Sequence, residues 1–512
     1  MAAQADEQRM ISEKVAPLLV AKTLGAFDLV VIFVGIVLFI TNSAGLQFAG
    51  PSAYVFWIVA FLTFLITGGF VTAQLGRMFP EEGSLYVWTH KVLGPFWGFF
   101  AGFVAWWPGP IVMMLAGILV ATFITQVGTF LDPSNAWLSE NWQIGLVVLV
   151  VLWIGAGASL LRMRLTQNYV NLQFFFYAVA IFLMGLAGVI WLLGGNEAAN
   201  TFAAAEWNPF KGGEGGIPGI PANLTFFSFA ILALLGIEVP LNMGVEISGG
   251  ESAIRKYLFW GCLIVMFAYL WTTFGNMVTV PVDEVNGTTG GAQGVGVAMG
   301  DFMGIVVALI LMWFFLTSSM VYNYSFARLL FVSGLEKRLP HQIGQVNKNQ
   351  VPANAVILQT ILGSILTIVV FFVLGSGEAG DPFKPYFALL AGVTIVWCIS
   401  TALLFLDTFF AKRANPAKFE EARRVSEGFL YLCGAVGTVA NIVAVMLIFS
   451  GPWYPAFSLS EWNTWMLAIT IVSVVVGVAI YAISQRTRGG KSDVELLADT
   501  PAPVPAGGGG AA

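Results

Sequence analysis

Twelve long apolar runs, each closed by charge, glycine or proline, leave this chain little freedom of fold. They occupy residues 24–46, 53–79, 96–129, 144–161, 169–193, 223–247, 257–280, 302–332, 355–374, 386–410, 429–449 and 465–483. About 20 apolar residues cross the roughly 30 Å hydrocarbon core of a bilayer as a helix. Lipid cannot satisfy backbone N–H and C=O groups, so such segments must be helical to span it. With 58% of its 512 residues hydrophobic and only 10% charged, the chain reads as an all-α integral membrane protein of twelve spans. The first run starts too late and runs too long for a cleaved leader, and is expected to stay as span 1.

Charge placement tests this reading. Of the 23 Lys and Arg residues, only Lys211 and Lys384 fall on one side of a twelve-span arrangement; the others, Arg328 in the 8/9 connection among them, fall on the other. The side with few cations carries acids instead: Asp132, Glu140, Glu197, Glu206, Asp283, Glu284 and Asp381. The positive-inside rule then predicts a multi-pass cell-membrane protein with both termini in the cytoplasm. Residues 1–23 form a cytoplasmic segment, 24–483 the twelve-helix membrane domain, and 484–512 a polar, Pro- and Gly-rich tail expected to be disordered.

Soluble-enzyme chemistry is excluded by what the spans contain. Cys262, Cys398 and Cys433 lie in or beside apolar runs, and His90 and His341 lie far apart in polar connections. Neither a metal cluster nor a nucleophile with its base can be assembled from them. No cofactor, resident metal or nucleic-acid partner is expected, and oligomeric state is not encoded in these patterns. A channel would need a continuous polar stripe or a ring of acids, and the runs carry only scattered polar residues.

Two spans carry helix-weakening residues near mid-depth: span 1 at Gly35 and span 6 from Gly236 to Pro240. They stand five spans apart, an odd offset that makes the second unit enter the membrane from the opposite face. Such breaks expose backbone groups to a substrate at the midplane. Glu238, inside the span 6 break, is an acid too deep to be cheap, and is expected to couple a proton to transport. Asp28 and Asp407 lie near the ends of spans 1 and 10, where water or Lys and Arg are expected to reach them. In span 3, Trp106 and Trp107 sit too deep for interfacial anchors, and Pro108 and Pro110 should kink the helix. Span 8 supplies Thr317, Ser318, Ser319, Tyr322, Asn323 and Tyr324.

The loop Phe79-Pro-Glu-Glu-Gly-Ser-Leu-Tyr-Val-Trp88, the Gly236-Ile-Glu238 element with Glu246, and the stretch from Ala327 through Leu339-Pro340 to Pro352 occur in that order. Together they resemble the amino acid-polyamine-organocation superfamily of secondary transporters over nearly the whole span region. Residues 35–42 and Trp106-Trp-Pro108 look closer to its glutamate/GABA antiporter branch. Val37 stands at the usual second glycine of the span 1 break, and Thr41 where a basic residue would suit an acidic substrate.

The resemblance implies a five-plus-five inverted repeat, one unit at about 24–193 and the other at about 223–410, with two extra helices at 429–483. It implies a permease or antiporter moving an amino acid by alternating access. The substrate carboxylate would meet the backbone around Val34, Gly35, Ile36 and Val37, and its ammonium the span 6 break at Gly236. Trp106, Met113, Leu232, Ala233, Leu235 and Tyr322 are the candidate walls. None is charged, so a neutral or zwitterionic amino acid is favoured over arginine or a polyamine, with a glutamate/GABA-type exchanger or a sodium-coupled amino acid symporter as the alternative. The coupling ion is a proton or sodium. Sodium-coupled members of this fold use span 8 hydroxyls, which makes Thr317, Ser318 and Ser319 a candidate sodium site, whereas the span 5 lysine of some proton-linked relatives is missing from residues 174–183.

Overall fold

The computed structural model describes residues 10–134, 137–374, 383–488 and 495–496. Arg9, Asp381 and most of the tail from 484 onward lie outside the described residues. Eleven helices there are long and apolar enough to cross a membrane: Ala26–Ala49, Ser52–Met78, Pro95–Leu131, Asn141–Ser159, Met163–Leu193, Gly250–Thr279, Asp301–Leu335, Ala353–Val373, Lys384–Ala414, Glu427–Ile448 and Leu459–Thr487. They are spans 1 to 5 and 7 to 12. Span 6 is assembled from a short helix, Thr225–Leu232, a non-helical stretch, and a 3-10 segment, Val239–Glu246. The molecule is a twelve-span, all-helical membrane protein.

Spans 3 and 8, the third members of the two five-span sets, make the most extensive helix pair, followed by 5 with 7 and 10 with 11. Span 1 is central: its most apolar window is 100% buried, against 17% for span 12, which faces outward. A span with no lipid-facing side is free to be irregular where protein groups replace water as partners.

The breaks differ from the sequence expectation in position. Span 1 stays helical through Gly35 to Val37 and unwinds only at Leu38, resuming at Thr41. Gly35 packs inside the helix against span 8, where a Cβ would stand in ordinary contact, 3.4 Å from Val321. Span 6 leaves the helix at Ala233, before Gly236. The kink in span 3 falls at Trp107, between Pro95–Trp106 and Pro108–Leu131, where proline removes a backbone donor.

Both described ends lie on one side, hereafter the terminus side, where Ile11, Val15 and Leu496 pack together against Leu335. The N-terminal segment carries a helix, Ile11–Leu19, and the 2/3 connection another, Ser84–Leu93. Leu24 pairs with Ile247 through an isolated parallel bridge, tying the entry of span 1 to the end of span 6. Arg328, counted from sequence among the connection cations, lies inside the span 8 helix and is fully buried. Asp28 reaches a cation, Arg164, at 2.7 Å. Asp407 meets no cation among the described residues: it is fully buried, and accepts a hydrogen bond from the Thr89 hydroxyl at 2.7 Å, because the Ser84–Leu93 helix packs over the end of span 10.

Candidate substrate site

Unwinding span 1 strips its backbone of helical partners, and hydroxyls from three other spans replace them. Ser318 donates to the Gly35 carbonyl at 2.8 Å and Tyr322 to that of Ile36 at 2.9 Å. Tyr177 of span 5 donates to Leu38 O at 2.5 Å and accepts from Ile40 N at 3.1 Å. The Tyr269 hydroxyl of span 7 lies 3.0 Å from Val37 O, 3.3 Å from Phe39 O and 3.1 Å from Ala233 O, so it touches both breaks. Each such bond matters, since a buried backbone group left unpaired costs about 1–3 kcal/mol.

The two breaks meet at Gly236. Its φ is +102°, and a Cβ there would stand 2.5 Å from Ile36 and 3.1 Å from the Trp397 ring. Only glycine adopts that backbone freely while letting span 6 press on span 1. Around the junction, Tyr322 lies edge-on to Phe39 at 5.8 Å and to Trp397 at 6.3 Å. In the span 6 break, Tyr257 donates to Ile237 O at 3.2 Å and Tyr269 contacts Ala233 O. The carbonyls of Leu234 and Leu235 receive no hydrogen bond among the described residues.

Glu238 sits at the inner edge of this junction, 2% exposed. Trp397 donates to its Oε1 at 3.4 Å, while Oε2 has no partner. Tyr257 and Tyr322 stand near enough to feel its charge.

Of the residues singled out from sequence, Val34, Gly35, Ile36, Val37, Leu232, Ala233, Leu235, Gly236, Tyr322 and Glu238 all lie buried on the two breaks or in span 8 against them. Trp106 turns elsewhere: its indole N–H donates to Gln359 of span 9 at 3.1 Å, and Gln359 in turn donates to Asn323. Met113 is fully buried in span 3. The three consecutive hydroxyls of span 8 fan out, as successive positions on a helix must. Thr317 bonds its own backbone at Trp313 O, Ser318 bonds span 1, and Ser319 lies beside Gly155 of span 4. Thr317 and Ser318 border a cavity of about 10 Å³ shared with Gly35, Gln173 and Tyr177, room for about one water.

Sequence reasoning missed Tyr177, Tyr257, Tyr269 and Trp397. A phenol or indole in the middle of an apolar run needs a polar partner, and that was the available signal.

On the terminus side, the junction is sealed by charge. Arg328 donates to Glu246 at 2.8 Å and to Tyr324 O at 3.0 Å, with Glu82 3.8 Å away. Glu82 accepts from Val245 N at 3.1 Å, and Gly83 donates to Asn242 O at 2.9 Å. Burial pushes the Glu82 carboxyl well above the usual carboxylate range, Glu246 adds to that, and Arg328 opposes it. The Pro-Glu-Glu-Gly loop is therefore a plug on the terminus-side half of span 6.

The chain is similar to a probable agmatine/putrescine antiporter of Lactococcus lactis, 25% identical over 52% of this chain and 54% of that protein. It spans only about half the length of that relative. It is also similar to the inner membrane transporter YjeM of Salmonella typhimurium, 23% identical over 88% and 94% of the two chains, and to a probable polyamine transporter of Arabidopsis thaliana, 20% identical over 85% and 78%. The profile of the amino acid permease family matches residues 24–476. With that profile over most of the chain and broken spans 1 and 6 meeting at Gly236, the protein belongs to the amino acid permease family within the amino acid-polyamine-organocation superfamily and is a membrane transporter.

Proposed function

We propose that the protein exchanges a neutral or zwitterionic amino acid across the cell membrane by alternating access, with its terminus side in the cytoplasm. The observation that supports this is the junction itself, where two broken helices bring backbone groups of both signs to one buried carboxylate. The substrate ammonium goes to the unpaired carbonyls of Leu234 and Leu235, and its carboxylate to the backbone of the span 1 break beside them. Glu238 carries the coupling proton. The groups that face it are Trp397, Tyr257 and Tyr322, none of them a cation, so it changes charge without an ion pair to break. The units at 24–193 and 223–410 rock against each other, and the helices at 429–483 stay outside that motion.

A diamine or longer polyamine is the second reading. The partnerless Oε2 of Glu238, with Tyr322 and Trp397 beside it, suits an ammonium group. Two relatives also carry names that refer to agmatine, putrescine or polyamines. Sodium coupling draws less support, because Ser318 already occupies Gly35 O and Ser319 points to span 4. Glutamate exchange would need a cation at the junction, and Thr41 stands where one was expected.

Counterflow in proteoliposomes separates these readings. Neutral amino acids should exchange without a sodium gradient and with a pH dependence that Glu238→Gln largely abolishes while binding persists. Exchange confined to putrescine or agmatine would replace the amino acid by the diamine. An absolute sodium requirement with no response to pH would overturn proton coupling.

A further inference from the structure

Away from the substrate junction, a groove of about 400 Å³ opens toward lipid between spans 2, 7 and 11. Its wall is apolar over most of its length: Ile66 and Phe70 of span 2, Phe259, Leu263 and Met266 of span 7, and Leu430 of span 11. Gly69 and Ala73, with little or no side chain, leave its floor deep. The terminus-side end is different in kind. Arg77 closes span 2, Arg255 lies in the second turn of span 7, and Arg424 precedes span 11, and all three border the groove.

Counter-charge there is short. Glu251 bridges Arg77 at 3.1 Å and Arg424 at 3.1 Å, so one carboxylate serves two guanidinium groups. Arg255 is exposed and makes no ion pair among the described residues, yet stands near enough to Arg77 to repel it. Three cations against one acid leave an excess of positive charge where the membrane's headgroups begin.

Length decides what fills the rest. Ile66 to Arg77 and Arg255 to Met266 each rise about 16 Å along a helix, close to half of a hydrocarbon core roughly 30 Å thick. A groove one leaflet deep, apolar inside and cationic at its rim, matches one molecule of a membrane lipid with a negative headgroup. We propose that it is a retained site for an anionic phospholipid, with an acyl chain along Phe70, Phe259 and Leu263 and the phosphate held by Arg77, Arg255 and Arg424. Guanidinium forks suit phosphate oxygens, and basic pockets between membrane helices are where acidic lipids lodge.

Native mass spectrometry of the full-length detergent-solubilised protein tests this, using dioleoyl phosphatidylglycerol, dioleoyl phosphatidylcholine and free glycerol phosphate as probes. The wild type should retain one phosphatidylglycerol in preference to phosphatidylcholine by about tenfold, since Glu251 already offsets part of the charge of Arg77 and Arg424. R255Q/R424Q should erase that preference, whereas R413Q, on an exposed cation outside the groove, should keep it. Gly69→Leu should block retention of the lipid from the acyl side; a Cβ there meets nothing closer than 3.9 Å, so the fold tolerates it and the test survives if the double variant misfolds. Equal retention of both lipids by the wild type, unchanged retention in R255Q/R424Q or Gly69→Leu, or displacement by free glycerol phosphate at the lipid's own concentration would each overturn the proposal.

Discussion

At the centre of the protein, the carbonyls from Gly35 to Phe39 are held by serine and tyrosine hydroxyls, groups that carry no charge. On the terminus side, a comparable closure is made by a guanidinium, Arg328, buried against Glu246 with Glu82 nearby. Neutral hydrogen bonds are modest, about 0.5–1.5 kcal/mol net each, and exchange partners readily. A buried ion pair adds little net stability when intact, but losing one partner strands a charge. The centre is thus built to be reshaped by a substrate, and the terminus side to be either fully shut or fully rebuilt.

The largest effect that would sharpen this contrast is Arg328→Gln. It leaves Glu246 and Glu82 buried without their cation, and should destabilise the protein by about 3–5 kcal/mol. Thermal unfolding in detergent reads this directly, and a change of less than about 1 kcal/mol would erase the distinction between the two closures. Tyr269→Phe comes next. It removes one hydroxyl shared by three carbonyls, and should cost about 1–3 kcal/mol, with transport lost more completely than fold.

A third prediction concerns pH. The folded Glu82 holds its proton more tightly than the unfolded chain does, so the stability it contributes is fully present below about pH 4.5 and declines as pH rises through its raised folded value. Glu82→Gln keeps an acceptor for Val245 N and removes the titration. Its unfolding temperature should therefore vary less than the wild type's from pH 4.5 upward, and an identical pH slope in both proteins would place the titrating group elsewhere. The smallest effect is a pair within span 8. Ser318→Ala should cost about 0.5–1.5 kcal/mol because its hydroxyl ties span 8 to span 1, whereas Thr317→Val, which keeps the buried bulk and removes a hydroxyl that bonds only its own helix, should cost less, about 0.5 kcal/mol. Equal losses would mean that the central hydroxyls are not specialised.

Those comparisons also mark where sequence reading worked. Twelve spans were legible because bilayer thickness sets a length that apolar runs must meet. The span 6 break was legible because glycine, glutamate and proline crowd into five residues, Gly236 to Pro240. In span 1 the cue misled: Gly35 looked like the break, but unwinding begins where Tyr177 and Tyr269 supply bonds from distant helices, and nothing in the local sequence encodes that. Arg328 was read as a connection cation for the same reason, since its partners Glu246 and Glu82 are 82 and 246 positions away. Sequence singled out Trp106 through the prolines that follow it and passed over Trp397, though each is an aromatic ring in an apolar run. Only packing assigns one to Glu238 and the other to Gln359.

The Tyr269 hydroxyl has a single hydrogen, and three carbonyl oxygens lie within its reach. At any instant it satisfies one of them, and turning the O–H bond passes the proton from span 1 to span 6 without moving a helix. The three distances, 3.0, 3.1 and 3.3 Å, are close enough that changing acceptor alters the bond only modestly. A sliding of one broken segment past the other by a fraction of a residue therefore meets a small energetic step at this atom, which behaves as a greased pivot rather than a latch.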